Sequence, residues 1–277
     1  MKKAIVIPNP KKDEGLALTE RLCKKLSALG IGVYIDEKHG VDFAEPYSDA
    51  PSDAELLIVV GGDGSVIDAS RLAIEKDIPL IGVNLGKVGY LSEVDPEHLD
   101  AFSALVTGEY TVNEKMLLTL ISPEVGQEIY AVNDIIVTRG ECLEIASFSM
   151  EDSIGNKLSY RADGVIIATP QGSTAYSFSS GGPVLAHDVE CMLVTPVCPH
   201  ALFNRSVLFN AREQLTFTNL GERLLRVAAD GRPIFTLPAG GSCTVARSPK
   251  RLKMLTFSKN SMFTELFKKM NVTEGLK

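Results

Sequence analysis

The sequence predicts an α/β N-terminal domain with a parallel sheet, an all-β sandwich-like second domain, and a C-terminal segment that returns to the first. Three observations carry this reading. Up to about residue 100, short apolar runs alternate with leucines at helical spacing; from Tyr110 onward, strand-like runs follow one another, broken only by turn residues; and the chain ends on an amphipathic stretch that needs a cover. The expected boundaries are 1–100 for the α/β domain, 101–254 for the β-rich domain and 255–277 for the segment docking back.

Taken in order, "AIVI" near the start reads as a strand, and Leu18, Leu22, Leu26 and Leu29 mark one face of a helix over 14–29 that Gly30 stops. "VYI" is a second strand, "LLIVV" a third and Pro79–Val83 a fourth, with a helix from Ser65 between the last two. Strands that are apolar throughout, alternating with helices, imply a parallel sheet covered on both faces. Asp95-Pro96 offers a helix start whose buried face would be Leu99, Phe102 and Leu105. In the second half, "YTVNEKMLLTLI", "EIYAVNDIIVTR", "EIASFSM" and "KLSYRADGVIIATP" are strand-like runs separated by Gly, Pro, Asn and Asp. The tail "SMFTELFKKM" places Phe263, Leu266, Phe267 and Met270 on one helical face.

Composition narrows the function classes. The 277 residues are 45% hydrophobic, enough for a sizeable core, and 35 acidic against 28 basic residues leave a net charge of −7. Without a dense Lys/Arg surface the chain is not expected to bind nucleic acid. No apolar run approaches the roughly 18 residues a membrane span needs, and the opening "MKKAIVIPNP" is too short an apolar run for an export signal. The five cysteines are widely spread with no C-x-x-C pair, and the four histidines are scattered, so a reduced, cytoplasmic chain without a protein-held metal is expected.

Two segments carry chemistry. In "LLIVVGGDGSVIDASR", residues 56–71, a buried strand runs into glycines and then a helix start, which is how α/β sheets build an anion site from backbone N–H groups and the positive end of a helix. Asp63 sits in that turn, where a carboxylate can contact Mg²⁺ indirectly, orient a hydroxyl or take its proton; the bland alternative is a helix cap in a tight turn. Neither G-x-G-x-x-G nor G-x-x-x-x-G-K-[ST] is present; "GVNLGK" is one residue short of the latter. The second segment, "YRADGVIIATPQGSTAYSFSSGGPVL" over 160–185, brackets a buried strand with hydroxyls, amides, glycines and one tyrosine. Such groups suit sugar hydroxyls, phosphates and a base.

Together these segments resemble the NAD kinase family. The resemblance rests on "GGDGS" (61–65), "GVNLGKVGYLSE" (82–93), "NDIIVTRG" (133–140), "DGVIIATPQGSTAYSFSSGGPVL" (163–185), "TPVCPHALFNRSVLF" (195–209) and "ADGR" (229–232), in the family's order and spacing. It implies transfer of a phosphoryl group from ATP, or in some members polyphosphate, to the 2′-hydroxyl of the adenosine ribose of NAD, with Mg²⁺ or another divalent cation accompanying ATP. It also implies assembly as a homodimer or homotetramer. By position, Asp63 resembles the residue that activates the hydroxyl, with Gly62 and Gly64 lining the phosphate path. Asn133 and Asp134 match the pair holding adenine and ribose. Arg161 falls in the NAD-binding set. Thr174, Ala175, Tyr176 and Ser179 match the loop around the two halves of the dinucleotide, and Asp163 matches a carboxylate reaching the nicotinamide side, in some members from a neighbouring subunit. The chain departs from the usual pattern with Ser65 in place of Thr and Asp134 in place of Glu, the latter one methylene shorter.

A similar Gly-Gly-Asp-Gly turn also occurs in phosphofructokinases and in lipid kinases, so a lipid or sugar kinase is one competing reading. The hydroxyl- and amide-rich loop over 160–185 argues against it. A non-catalytic NAD(P) sensor on this fold is the other, and the retained Asp63 argues against that.

Overall fold

A computed structural model of the chain describes residues 1–86, 89, 91–140, 144–200 and 204–257. The described residues form two compact units: one from Met1 to Glu114 together with Leu252 to Phe257, and Lys115–Arg251. The expected amphipathic tail helix, with Phe263, Leu266, Phe267 and Met270, lies outside the described residues.

The first unit is built from β1 (Lys3–Pro8), α1 (Ala17–Ala28), β2 (Gly32–Asp36), β3 (Glu45–Tyr47), β4 (Leu56–Gly61), α2 (Asp63–Lys76), β5 (Leu80–Asn84) and α3 (Ala104–Thr107). Its strands pair in parallel in the order β3-β2-β1-β4-β5, and the last strand of the chain adds Met254 beside Leu80. The chain therefore does return to the first unit. Every residue of β4 is buried, which is why it reads as an unbroken apolar run. Leu18, Leu22 and Leu26 of α1 pack with Val6, Ile58 and Phe102 in one core cluster. On α2 the buried face is Val66, Ala69, Ala73 and Ile74.

The strand order has a mechanical consequence. After β1 the chain crosses by α1 to β2 on one side, and after β4 it crosses by α2 to β5 on the other. The adjacent carboxyl ends of β1 and β4 thus lie where the winding direction reverses. In open α/β sheets the chains leaving two such strands part in opposite directions and leave a crevice for a ligand.

The second unit holds β6 (Thr111–Ile121), which the chain enters from the first unit, then β7 (Ile129–Ala131), β8 (Asp134–Arg139), β9 (Ala146–Glu151), β10 (Lys157–Ala162), β11 (Gly164–Ala168), α4 (Tyr176–Ser179), β12 (Cys191–Val197), β13 (Val207–Asn210), β14 (Gln214–Asn219), β15 (Leu225–Ala229), β16 (Arg232–Leu237) and β17 (Ser242–Thr256). One antiparallel sheet runs β13-β12-β11-β8-β15-β16; the other runs β10-β9-β14-β17, with β6 beside β17 and β7 beside β6. Phe148 and Phe217 from one sheet meet Val137, Val165, Ile167 and Val227 from the other in a common core. Alternate residues of β11, Ile166 and Ala168, face away from that core and pack with Ile136 and Leu193, with Leu185 partly covering them. β11 is therefore buried on both faces, although it lies in an antiparallel sheet.

Local boundaries differ from expectation in three places. The helix expected from Ser65 begins two residues earlier, because Gly62, itself extended, accepts the N–H groups of both Ser65 and Val66 through its carbonyl. The helix expected at Asp95 begins as a 3-10 turn at Leu99; Val94 is tied by a parallel bridge to Val83, and a turn closed by the His98 N–H donating to the Asp95 carbonyl at 2.9 Å comes between. Leu99, Phe102 and Leu105 are buried as expected. The short edge strand β3 has no apolar signal of its own and forms because Tyr34 to Asp36 offer it a ladder.

Candidate active site

In the first unit the candidate site is the turn between β4 and α2. Gly61 closes β4 and its carbonyl accepts the Leu85 N–H at 2.8 Å, so the loop after β5 is held against the turn. A Cβ on Gly61 would stand 2.5 Å from the Ser65 hydroxyl, and glycine alone fits. Gly64 differs: it is exposed and a Cβ there would meet nothing within 4 Å, so packing does not demand glycine and the backbone is simply left bare. Asp63 is the first residue of α2, half-buried, and its Oδ1 accepts the Leu91 N–H at 3.0 Å. A Cβ on Gly89 would come within 2.5 Å of the same oxygen. The Leu91 backbone thus helps orient the carboxylate, which stands at the positive end of a fourteen-residue helix.

Sequence reasoning missed the loop that faces this turn. Asn9 follows β1 directly, and its Nδ2 donates to the Ser65 hydroxyl at 2.7 Å. Ser65 therefore serves as an acceptor that ties the two strand ends together. Nothing in the string "NPKKD" announces this, because the contact exists only once β1 lies beside β4.

In the second unit the expected residues gather where β8 begins and β11 ends. The two strands pair antiparallel with Asp134 opposite Ala168, so the Asn133–Asp134 pair and the segment after Ala168 are neighbours by register. Hydrogen bonds then bind the two stretches together. The Thr169 N–H donates to the Asn133 carbonyl at 2.8 Å, and its hydroxyl donates to the Val132 carbonyl at 2.7 Å while accepting the Gly172 N–H at 2.9 Å. Thr174 ends a 3-10 turn, Ala175 breaks from helical geometry, and α4 starts at Tyr176; Tyr176 and Ser179 are exposed and Thr174 is half-buried.

Asp230 supplies the other support. It sits in the tight Asp230-Gly231 turn of the β15–β16 hairpin, where both residues have positive φ. Its carboxylate accepts three successive backbone N–H groups, from Val132 at 2.8 Å, Asn133 at 2.7 Å and Asp134 at 3.2 Å. Burial raises the Asp230 carboxyl above its usual range, against the opposing pull of those three donors. The Asp134 carboxyl is pushed up to about 7, first by burial and then by the nearby charge of Asp230. "ADGR" contains Asp230, but its role depends on a hairpin meeting a strand start almost a hundred residues earlier.

Arg161 and Asp163 are not brought to this point. Asp163 precedes β11, whose first residue Gly164 pairs with Thr138, so Asp163 stands at the opposite end of that strand from Ala168 and Asp134. Five residues of strand place these ends roughly 13–17 Å apart. The Asp163 carboxylate pairs with Arg139 Nε at 3.1 Å, and its carbonyl accepts the Arg139 N–H and the Thr138 hydroxyl. Arg161 is an exposed residue of β10 whose carbonyl accepts the His200 N–H at 2.7 Å. Among the described residues, no group of three or more His, Cys, Asp or Glu side chains is arranged to hold a metal ion.

The two halves correspond to two family descriptions: residues 4–110 match the ATP-NAD kinase N-terminal domain and residues 132–257 the ATP-NAD kinase C-terminal domain. An NAD kinase of Natranaerobius thermophilus is 36% identical over 98% of both chains, and one of Lachnoclostridium phytofermentans is 32% identical over 95% of this chain and 96% of its own. The chain belongs to the NAD kinase family. Two solved structures share its fold: yeast NADH kinase complexed with NADH, with a TM-score of 0.82 at 21% identity over 98% of this chain and 88% of that one, and an Archaeoglobus fulgidus NAD kinase in complex with ATP, with a TM-score of 0.75 at 22% identity over 97% and 98%.

Two outcomes follow for the NAD-kinase C-terminal half. A Cβ on Gly172 would overlap the carbonyl oxygen of Asn133. Gly172→Ala is therefore expected to displace the Asn133–Asp134 backbone and weaken NAD binding at least about tenfold; calorimetric titration giving an unchanged Kd would mean that this close approach does not set the site.

The second concerns pH. A carboxyl raised by folding contributes its full stability below its unfolded pKa of about 4, and that contribution is lost as pH rises toward the folded value. For Asp134 the window runs from about 4 to about 7. Urea unfolding across it should show stability falling with pH, and Asp134→Asn should make the fall shallower; an identical slope in the variant would assign the titration elsewhere.

Proposed function

We propose that the turn of Gly61–Ser65 is where this family member, which phosphorylates NAD with ATP, carries out the transfer, and that Asp63 is the residue that meets the acceptor hydroxyl. The observation that carries this reading is the position of Asp63: first residue of α2, at the carboxyl end of β4, beside the point where the sheet's winding reverses. Backbone N–H groups of a bare glycine turn suit the donor phosphates. The 2′-hydroxyl oxygen of the adenosine ribose forms a bond to the γ-phosphorus as the bond from that phosphorus to the β–γ bridging oxygen breaks; ADP departs and the hydroxyl proton passes to Asp63. Because such transition states are loose, positioning and charge neutralisation contribute more than base strength. The Leu91 N–H bond to Asp63 serves positioning.

Mg²⁺ enters as part of the nucleotide substrate, MgATP, where it neutralises phosphate charge. In the second unit, Asn133 and Asp134 are assigned to the adenosine half of NAD, with Thr174, Ala175, Tyr176 and Ser179 forming the adjoining wall. A carboxyl titrating near 7 at Asp134 both donates and accepts hydrogen bonds around neutral pH, which matches a ribose hydroxyl that does the same. The free cysteines among the described residues, Cys23, Cys191, Cys198 and Cys243, support a cytoplasmic location, and no described helix is long and apolar enough to cross a membrane. Cell fractionation tests that location.

Asp63→Asn keeps shape but neither carries charge nor takes a proton. With NAD, MgATP and a coupled NADP-specific dehydrogenase, kcat should fall on the order of 10²-fold or more while the Kd for NAD stays within about twofold. A variant with near-wild-type kcat would remove Asp63 from the chemistry.

The distance between Asp163 and Asp134 supports a further part of the reading: in a homodimer or homotetramer, Asp163 serves the nicotinamide side of a neighbouring chain's NAD. Under subunit exchange, a mixture of Asp63→Asn and Asp163→Ala chains should recover a fraction of the activity that each lacks alone. No recovery, with exchange confirmed by mass, would confine both aspartates to the same chain's site.

A further inference from the structure

The loop after β1 carries a cation aimed at the catalytic turn. A Cβ built on Gly62 would stand 2.6 Å from the Lys12 Nζ, so the ammonium rests against the backbone of the Gly-Gly-Asp-Gly turn. Lys12 is an exposed residue, and an exposed lysine is ordinarily a solvated one. Three features set it apart.

First, its loop is tied down at both ends. Asn9 binds the Ser65 hydroxyl through Nδ2, and its carbonyl accepts the N–H groups of Lys12 and Asp13, both at 2.9 Å. Asp13 is buried, and its carboxylate accepts the N–H groups of Leu18 at 2.9 Å and Thr19 at 2.8 Å together with the Thr19 hydroxyl at 2.5 Å. Lys12 is thus held between an anchor on the catalytic turn and an anchor on α1.

Second, the ammonium forms no ion pair among the described residues, with Asp63 or any other carboxylate. It stands instead at the N-terminal end of α2, where the helix dipole disfavours a cation by itself. An anion placed between the two reverses the sign of that interaction.

Third, β1 and β4 are the strands whose following segments diverge, so Lys12 meets Gly62 at the crevice where a ligand of such a sheet is received.

We propose that Lys12 binds the donor phosphates, closing against the turn as the cationic wall of the phosphoryl-transfer site and neutralising the charge that gathers on the β–γ bridging oxygen as ADP departs. The inference rests on the reading of the Gly61–Ser65 turn as the transfer site. A lysine is suited to the task as a compact point charge that makes no demand on phosphate orientation, and its charge-assisted hydrogen bonds are stronger than those of the neutral amides beside it.

Binding and turnover test it separately. MgATP titrated calorimetrically into the full-length protein without NAD should bind about 10- to 100-fold more weakly to Lys12→Met than to the wild type, with Lys12→Arg retaining most of the affinity and NAD affinity unchanged in both. In turnover, kcat/KM for ATP should fall by a similar factor while KM for NAD holds. Thermal unfolding of Lys12→Met should match the wild type; should it not, Lys12→Gln is measured in its place. Equal MgATP affinities in wild type and the charge-removing variant, or MgATP binding to the wild type too weak to detect, overturn the proposal. Failure of the wild type to make NADP would instead refute the functional reading, while a Lys12-dependent affinity for MgATP would stand on its own.

Discussion

Asn9 reaches Ser65 because β1 and β4 run parallel in register, from Ala4 beside Leu56 to Pro8 beside Val60. A shift of one residue along that ladder would turn the apolar side chains of β1 to the other face of the sheet and move Asn9 away from the turn. Both strands are buried, and the ladder is closed at its ends by the Glu55 N–H donating to the Lys3 carbonyl and the Asn9 N–H donating to the Val60 carbonyl, each at 2.9 Å. The geometry of Asp63, Ser65 and Lys12 depends on this pairing. The core of the first unit therefore aligns the site as well as stabilising the fold.

The second unit solves a different problem. Its expected NAD-binding residues lie on the irregular ends of strands, where backbone N–H groups have no ladder partner and would be costly to bury. Asp230 takes three of them at once, and Thr169 ties in the neighbouring carbonyls. Burial raises the pKa of that carboxylate and, separately, that of Asp134, to which the nearby charge of Asp230 adds. The same Asp230 that fixes the Asp134 backbone thus also adds to the upward shift that burial gives the Asp134 carboxyl. Here the demands of rigidity and of protonation meet in one pair of aspartates.

Much of this was legible beforehand because it rests on local pattern. Short apolar runs bounded by charged, Pro, Gly or polar residues mark β1, β4, β5 and β11 wherever they pair, and the glycine turn with Asp63 is contiguous, so its chemistry can be read from a few adjacent residues. The boundaries that differed did so for tertiary reasons. β3 borrows its ladder from β2, and between Val94, pinned to Val83, and the 3-10 helix at Leu99 the chain makes a separate turn at Asp95–His98. Asn9 and Lys12 escaped notice, and the role of Asp230 was not legible in "ADGR", because each acts on a partner dozens of residues away, through contacts that composition and periodicity do not encode.

The sequence alone determined the fold class, the glycine turn that holds Asp63 and the family resemblance, since hydrophobic period, turn residues and motif order are properties of neighbouring residues. Tertiary structure decided which ends of which strands meet. It set Asp134 opposite Ala168, so that the Asn-Asp pair and the hydroxyl-rich loop share one place, and it put Asp163 at the far end of β11. It also brought the Lys12 ammonium to the glycine turn. These outcomes follow from strand order and register, which are chosen by the burial of whole sheets and so cannot be assigned to any one stretch of the chain.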